Sequence, residues 1–211
     1  MFGMKLILAP TEEPISLVEA RLHLRLDVAE TSPPSTHPDD TLINIWLKAA
    51  RRYAENFNSR ASITQTWQLY LDRFPRHRYI ALPKPPLQYV SSLSYKDSAG
   101  TLQVVSFVDP SGTALLETDD YIVDIAQEPG RLCLQNGSTW PATIREAQAV
   151  IVEYVCGYSS AADVPADVKA SILLKLSDLY ENRGDSERTH VANTRDDAMK
   201  SLLWPDKVVY L

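Results

Sequence analysis

The hydrophobic period of this chain changes twice along its length, and this change limits the folds that the chain can adopt. Helical spacing of three to four residues covers Pro14–Asp27 and Asp39–Ala61, and it returns in Val164–Asp185. From Ala61 to Tyr158, apolar residues tend to alternate with polar ones, which is typical of strands. A block of strands set between helices, without strand–helix alternation, predicts an α+β protein and not a doubly wound α/β fold.

Each helical segment begins with a recognisable capping signal. Ser16 and Glu19 form an S-x-x-E capping box at the start of the first helix. Asp39 or Asp40 caps the second helix. Pro165 lies in the first turn of the last helix, where a missing N–H costs nothing. These signals predict three separate helices.

The second helix carries an apolar stripe and a basic group. We expect the stripe to face the core and the basic side chains to lie off it, near the carboxyl half. The basic group either contacts DNA or an acidic partner, or forms a solvated helix face. The expected stripe is Leu42, Ile45, Trp46, Ala49, Tyr53 and Phe57, and the basic group is Lys48, Arg51 and Arg52.

The last helix is apolar over a wide part of its circumference. One stripe consists of Val168, Ile172, Leu176 and Leu179. A helix with further apolar residues beside such a stripe packs on more than one side. We therefore expect the additional residues to contact the β region or a neighbouring subunit; they are Leu173, Leu174 and Tyr180.

The β region contains several short strand candidates separated by turn sequences such as Glu128-Pro129-Gly130. Short strands joined in this way predict a small antiparallel sandwich or barrel. The candidates are Ile63–Leu71, Arg78–Leu82, Leu87–Tyr95, Leu102–Phe107, Tyr121–Ile125, Arg131–Leu134 and Ala149–Cys156.

Composition and motifs give little support to catalysis or to tight DNA binding. The formal net charge of −6 argues against a protein whose main task is to grip nucleic acid. The sequence contains no phosphate-loop, dinucleotide, zincin or hydrolase-elbow motif, so we predict no catalytic residue, cofactor or metal site. Asp119, Asp120 and Asp124 are either ligands for a hard cation or the polar lead-in to a strand. No apolar run approaches the ~20 residues of a membrane span, and we expect a cytosolic protein without membrane contact.

The carboxyl-terminal segment combines a polar spacer with an apolar end. The spacer, Ser186–Lys200, has a composition that does not fold alone, and we expect a flexible tail. The apolar end either anchors a partner or folds back on its own domain. The candidate anchor residues are Leu202, Leu203, Trp204 and Tyr210.

Four segments together resemble the tailed-phage head–tail connector (adaptor, head-completion) family, in the long form with a β insertion found in prophages and gene transfer agents. The resemblance runs through about residue 185 and rests on packing patterns. The segments are PISLVEARLHLRLD, DDTLINIWLKAARRYAENFNSRASITQTWQLYLDRFP, IALPKPPLQYVSSLSY and VPADVKASILLKLSDLYENRGD.

This resemblance implies a structural role. Proteins of this family form a ring of about twelve copies that docks on the portal protein and extends the DNA channel toward a stopper or tail-completion protein. DNA passes through without specific binding. The implied site of action is the virion neck, after assembly in the host cytoplasm. Leu202, Leu203, Trp204 and Tyr210 would contact the portal, and the closing helix would contribute Leu173, Leu174 and Tyr180 to the ring interface.

The same resemblance suggests a domain organisation. Residues 1–60 and 160–185 would form the helical connector body, 61–159 a β-rich insertion, and 186–211 the flexible tail. Two other functions remain open: a different neck or tail component such as a stopper, and a β-barrel enzyme that binds a small molecule.

Overall fold

The described residues form two antiparallel sheets and four α-helices, so the protein belongs to the α+β class, as predicted. The computed structural model describes residues 2–26, 37–109, 111–182 and 190–209. The chain divides into two units. The β unit consists of Met1–Thr11 and Thr64–Ser159, and the helical unit of Glu12–Ile63 and Ser160–Leu211.

The β unit contains a five-stranded and a three-stranded sheet. The larger sheet has the order β1-β2-β8-β4-β5 and the smaller one β3-β7-β6. Every pair of neighbouring strands is antiparallel. The strands are β1 Phe2–Leu8, β2 Gln65–Leu71, β3 Tyr79–Ala81, β4 Leu87–Lys96, β5 Leu102–Ser106, β6 Tyr121–Asp124, β7 Arg131–Leu134 and β8 Val150–Cys156.

All seven strand candidates are strands in the structure, but β1 was not predicted. It pairs with β2 in a register that runs from Phe2 opposite Leu71 to Leu8 opposite Thr66. The consecutive apolar residues at its end hide any alternation, and its partner lies some sixty residues further along the chain. Residues 1–11 therefore belong to the β unit and not to the helical body in which the sequence analysis placed them.

Aromatic side chains join the two sheets. Phe74 stacks on Trp140 with ring centroids 4.8 Å apart, and its ring also meets that of Tyr95 on β4 at 5.6 Å. Trp140 in turn stacks on Tyr121 of β6 at 5.8 Å. This series of ring contacts connects the larger sheet to the smaller one. Burial raises the pKa of the Tyr121 hydroxyl to about 12, as expected for a ring within a core.

Within its described residues, the helical unit contains the three predicted helices and a fourth one. Their bounds are α1 Leu17–His23, α2 Asp40–Asn58, α3 Ala166–Glu181 and α4 His190–Leu203. The predicted capping box is present at α1, where the Glu19 N–H donates to the Ser16 hydroxyl at 3.2 Å and the Ser16 N–H donates to the Glu19 carboxylate at 2.7 Å. On α3, the expected core residues Val168, Ile172 and Leu176 are buried.

Helix α4 corrects the prediction of a flexible tail. It contacts α2 and α3, and it buries Met199 and Leu203, which lie four residues apart on one helix face. The polar composition of the segment hid this helix, because two apolar residues suffice for one contact face. Residues 186–189 and 210–211 lie outside the described part of the chain.

The buried face of α2 is displaced by one residue from the predicted stripe. Ile43, Leu47, Ala50 and Ala54 are buried, whereas Ile45 is 57% exposed. Apolar residues occupy two adjacent faces of this helix, so periodicity alone allows either face to be the core. The buried face includes two alanines, whose small side chains permit a close approach of neighbouring helices.

Candidate interaction surfaces

The basic group on α2 does not form a continuous surface. Arg51 is buried and donates to Glu55 at 2.8 Å and to Glu13 at 2.7 Å. Burial alone would lower the pKa of Arg51, but the two carboxylates outweigh it and raise that pKa. Lys48 and Arg52 are exposed. Neither sequence-based alternative, a partner contact or a solvated helix face, therefore holds for Arg51, whose charge is paired inside the helical unit.

The proposed ring-interface residues of α3 differ in their surroundings. The hydroxyl of Tyr180 donates to the Asp39 carboxylate at 3.0 Å, and its ring meets that of Trp46 edge-on at 5.8 Å. These contacts tie Tyr180 to the start and middle of α2. Leu173 and Leu174 are half-buried, so part of each side chain remains accessible.

The candidate anchor residues at the carboxyl terminus differ in how far they are exposed. Leu203 is 0% exposed, and its side chain is already used within the helical unit. Leu202 is half-buried, and Trp204 is 65% exposed. Tyr210 lies outside the described residues. Of the described candidates, Trp204 offers the largest accessible apolar surface.

The segment after α4 is fastened to the end of α2. The Val208 N–H donates to the Asn58 carbonyl at 2.9 Å, and Arg60 donates to the Asp206 carbonyl at 2.6 Å. The Lys207 ammonium lies 5.0 Å from the ring of Trp204, and such a cation–π contact orients the ring. The apolar end thus folds back on its own unit, as one of the two sequence-based alternatives required, while the indole remains on the surface.

Exposed apolar side chains on the first two helices were not predicted from the sequence. Leu42 and Ile45 lie three residues apart on α2 and are exposed, and Leu22 of α1 is exposed as well. Exposed leucine and isoleucine side chains of this kind favour contact with a protein partner. Leu42 and Ile45 were recognised in the sequence as part of an apolar stripe, but this stripe was assigned to the core.

The carboxylates near β6 take part in local contacts. Asp124 accepts a 2.7 Å hydrogen bond from Arg131 of the adjacent strand, and this bond lowers the pKa of Asp124. Asp120 accepts from the Ser138 hydroxyl at 3.0 Å. Among the described residues, no group of three His, Cys, Asp or Glu side chains is arranged to hold a metal ion.

An open cleft of about 900 Å³ lies between the segment that follows β2 and the segment that precedes β8. Both of its carboxylates are engaged, because Asp72 accepts from the Gln148 N–H and Glu146 pairs with Lys96. Its arginines are exposed, and within the described residues they form no ion pair. They are Arg73, Arg76 and Arg145. Exposed guanidinium groups that form no ion pair can bind an anionic group of a partner.

The described helices include none with the length and apolarity needed to span a bilayer.

The protein is similar to chains of known structure, although its sequence matches no known family. No family model matches the sequence, and no curated protein matches it. A chain in the structure described as "Virion of native gene transfer agent (GTA) particle" aligns with a TM-score of 0.73 and 19% identity, over 99% of this chain and 96% of its own length.

Two further matches come from structures of the neck alone. A chain in the "Neck of empty GTA particle computed with C6 symmetry" has a TM-score of 0.72 and 19% identity, over 99% of this chain and 97% of that one. A chain in the "Neck of native GTA particle computed with C12 symmetry" has a TM-score of 0.71 and 18% identity, with coverage of 99% and 97%. The protein therefore has the fold of a chain found in the neck of gene transfer agent particles, in agreement with the resemblance read from its sequence.

Proposed function

We propose that this protein is a structural component of the neck of a phage-like particle, where it forms an adaptor ring that docks on the portal and extends the DNA channel toward the tail. The observation that carries this proposal is the structural match over 99% of the chain to chains of solved particle necks. The match covers the residues of both units. One matched neck was computed with C12 symmetry, which supports a ring of about twelve copies.

The surface of the helical unit supports this proposal. A ring subunit needs apolar area that its own core does not use, and Leu42, Ile45 and Trp204 provide such area. We assign Trp204, together with Leu202 and Tyr210, to the portal contact. Leu203 no longer belongs to this set, because its side chain is buried. The accessible parts of Leu173 and Leu174 remain candidates for the ring interface.

The charge of the chain suits a channel through which DNA moves. The net charge of −6 disfavours adhesion of the duplex. In this proposal the protein is made in the host cytoplasm and resides in the neck of the finished particle, where it meets the portal on one side and a stopper or tail-completion protein on the other.

Deletion of the gene in a cell that produces the particles tests this proposal. Without the adaptor, heads should fill with DNA but remain without tails, and a plasmid copy should restore tailed particles. Electron microscopy distinguishes the two products directly. Tailed, DNA-filled particles in normal yield from the deletion strain would contradict the proposal.

A further inference from the structure

We propose that the five-stranded sheet continues from one copy of this chain to the next, with β5 of one subunit pairing with β1 of its neighbour in the ring. This inference rests on the proposed function, because it names the contact that would hold the ring together. The observation behind it is that one sheet has two exposed edges, and both edges are apolar.

Strands β1 and β5 are the two edges of the larger sheet. In the described part of the chain, β1 pairs with β2 alone and β5 pairs with β4 alone. Nearly all residues of both strands whose burial is described are exposed, so no described part of the chain covers either edge. Each edge therefore presents backbone N–H and C=O groups that a further strand can use.

The side chains on these edges are those of a contact surface. Leu8 is 58% exposed, and Leu102 and Val104 are each 60% exposed. Natural edge strands are commonly protected by charged side chains or proline. Strand β1 has Lys5 as its sole charged residue, and β5, with the sequence LQVVS, has none. Apolar edges with at most one charged residue can pair with another strand.

The direction of the strands permits a closed ring. Each of the five strands is antiparallel to its neighbour, so the first and the fifth, β1 and β5, run in the same direction. Rotation about an axis along the strands preserves direction, and the new pair between subunits is then parallel. Because the two edges differ, the contact is heterologous, which is the type that generates rings. Strand β5 has five residues and β1 has seven, so the pair can extend over the whole of β5.

Cysteine cross-linking in assembled particles tests this pairing. Lys5 is exposed on β1, and Gln103 is exposed on β5. The test protein carries Lys5→Cys and Gln103→Cys, with Cys133→Ala to remove the accessible native thiol; Cys156 is fully buried and remains. Purified particles are treated with a short bismaleimide, which tolerates a shift of one residue in register.

We expect a ladder of covalent multimers that extends well beyond the dimer. Proteins with either single cysteine should stay monomeric, and so should a matched control that combines Lys5→Cys with Ile122→Cys on the exposed part of β6. Monomers alone, from particles that contain the chain in their necks, would overturn the inference and leave the proposed function standing. Dimers from Lys5→Cys alone would also overturn it, because they indicate a symmetric pairing of two β1 strands. Absence of the chain from the particles would reject the proposed function, and the inference with it.

A second pair of variants separates assembly from folding. Leu102→Lys with Val104→Lys places two charges on the β5 edge, and both side chains are exposed in the subunit. We expect an unchanged urea midpoint and at least about a tenfold loss of tailed particles, because each lysine would place a charge in the strand pair between subunits. Leu116→Lys changes an exposed leucine that precedes β6 and should leave both readouts unchanged. Normal particle yield from the double variant would contradict strand pairing at this edge.

Discussion

The Tyr53 hydroxyl donates a 2.5 Å hydrogen bond to the carboxylate of Asp196, and this contact links α2 to α4. Asp196 also pairs with Lys200 one turn further along α4. Burial alone would raise the pKa of Asp196, but the bonds from Lys200 and Tyr53 outweigh it and lower that pKa. The helix that replaces the expected flexible tail is therefore held by a polar contact as well as by Met199 and Leu203.

This contact predicts an effect of Tyr53→Phe that depends on pH. At pH 7 the variant should lose about 0.5–1 kcal/mol of the free energy of unfolding, the value of one partly exposed hydrogen bond. The folded-state pKa of Asp196 is lowered, so its contribution is present above the unfolded value near 4 and is lost as the pH falls through the folded value. The difference between the proteins should narrow below about pH 4. Urea unfolding at pH 7 and below about pH 4 measures this difference in the free energy of unfolding. An equal difference at both pH values would contradict a hydrogen bond from Tyr53 to the ionised Asp196.

Arg51 and Arg52 are adjacent in sequence but differ in their effect on stability. Arg51→Ala leaves Glu55 as an uncompensated buried charge, and we expect a loss of about 3–5 kcal/mol in the free energy of unfolding. The matched control Arg52→Ala changes an exposed side chain and should alter stability by less than about 0.5 kcal/mol. Chemical denaturation compares the two. Similar small losses for both variants would show that the ion pairs of Arg51 with Glu13 and Glu55 contribute little to the free energy of unfolding.

Gly130 and Gly3 form a second matched pair. A Cβ added at Gly130 would lie 2.5 Å from two carbons of Leu87 on β4, whereas one at Gly3 would lie 3.8 Å from the Cβ of Tyr70, an ordinary contact. We expect Gly130→Ala to destabilise by about 1–3 kcal/mol, because the core would be overpacked. Gly3→Ala should be neutral within about 0.5 kcal/mol. Thermal unfolding provides the comparison, and addition of Leu87→Ala should relieve part of the clash at Gly130.

Substitutions of Leu203 and Trp204, adjacent residues at the end of α4, should affect stability and portal binding separately. Leu203→Ala removes a fully buried side chain and should cost about 2–5 kcal/mol. Trp204→Ala removes an exposed indole, so stability should change little while binding to the portal protein falls. Size-exclusion chromatography of the chain with purified portal measures the binding. Undiminished binding of the Trp204→Ala protein would remove this residue from the proposed portal contact.

Much of the fold could be predicted because it is specified by patterns among residues close together in the sequence. The capping box at Ser16 and the wide apolar stripe of α3 depend on residues a few positions apart. Strand β1 could not be found in this way, since it exists through pairing with residues some sixty positions away. Helix α4 escaped because Met199 and Leu203 are a small minority in a polar segment.

The interaction surfaces were harder to predict than the fold. On α2 both Ile43 and Ile45 fit a helical period, and only packing shows which one is covered. Arg51 was grouped with exposed basic residues although Glu55 lies four residues further along the same helix, because its second partner, Glu13, is 38 residues away in the sequence and becomes a neighbour only in the folded chain. The exposed edges of the larger sheet depend on strand order, which no local pattern specifies.

Cryo-electron microscopy of particles purified from a producing cell is the decisive measurement for the proposed function. We expect a ring in the neck, between portal and tail, into which about twelve copies of this chain fit, with the 19-residue helix α2 and the five-stranded sheet resolved in each. A neck reconstruction that accommodates no copy of this fold, in particles whose mass spectrum lacks the chain, would contradict it.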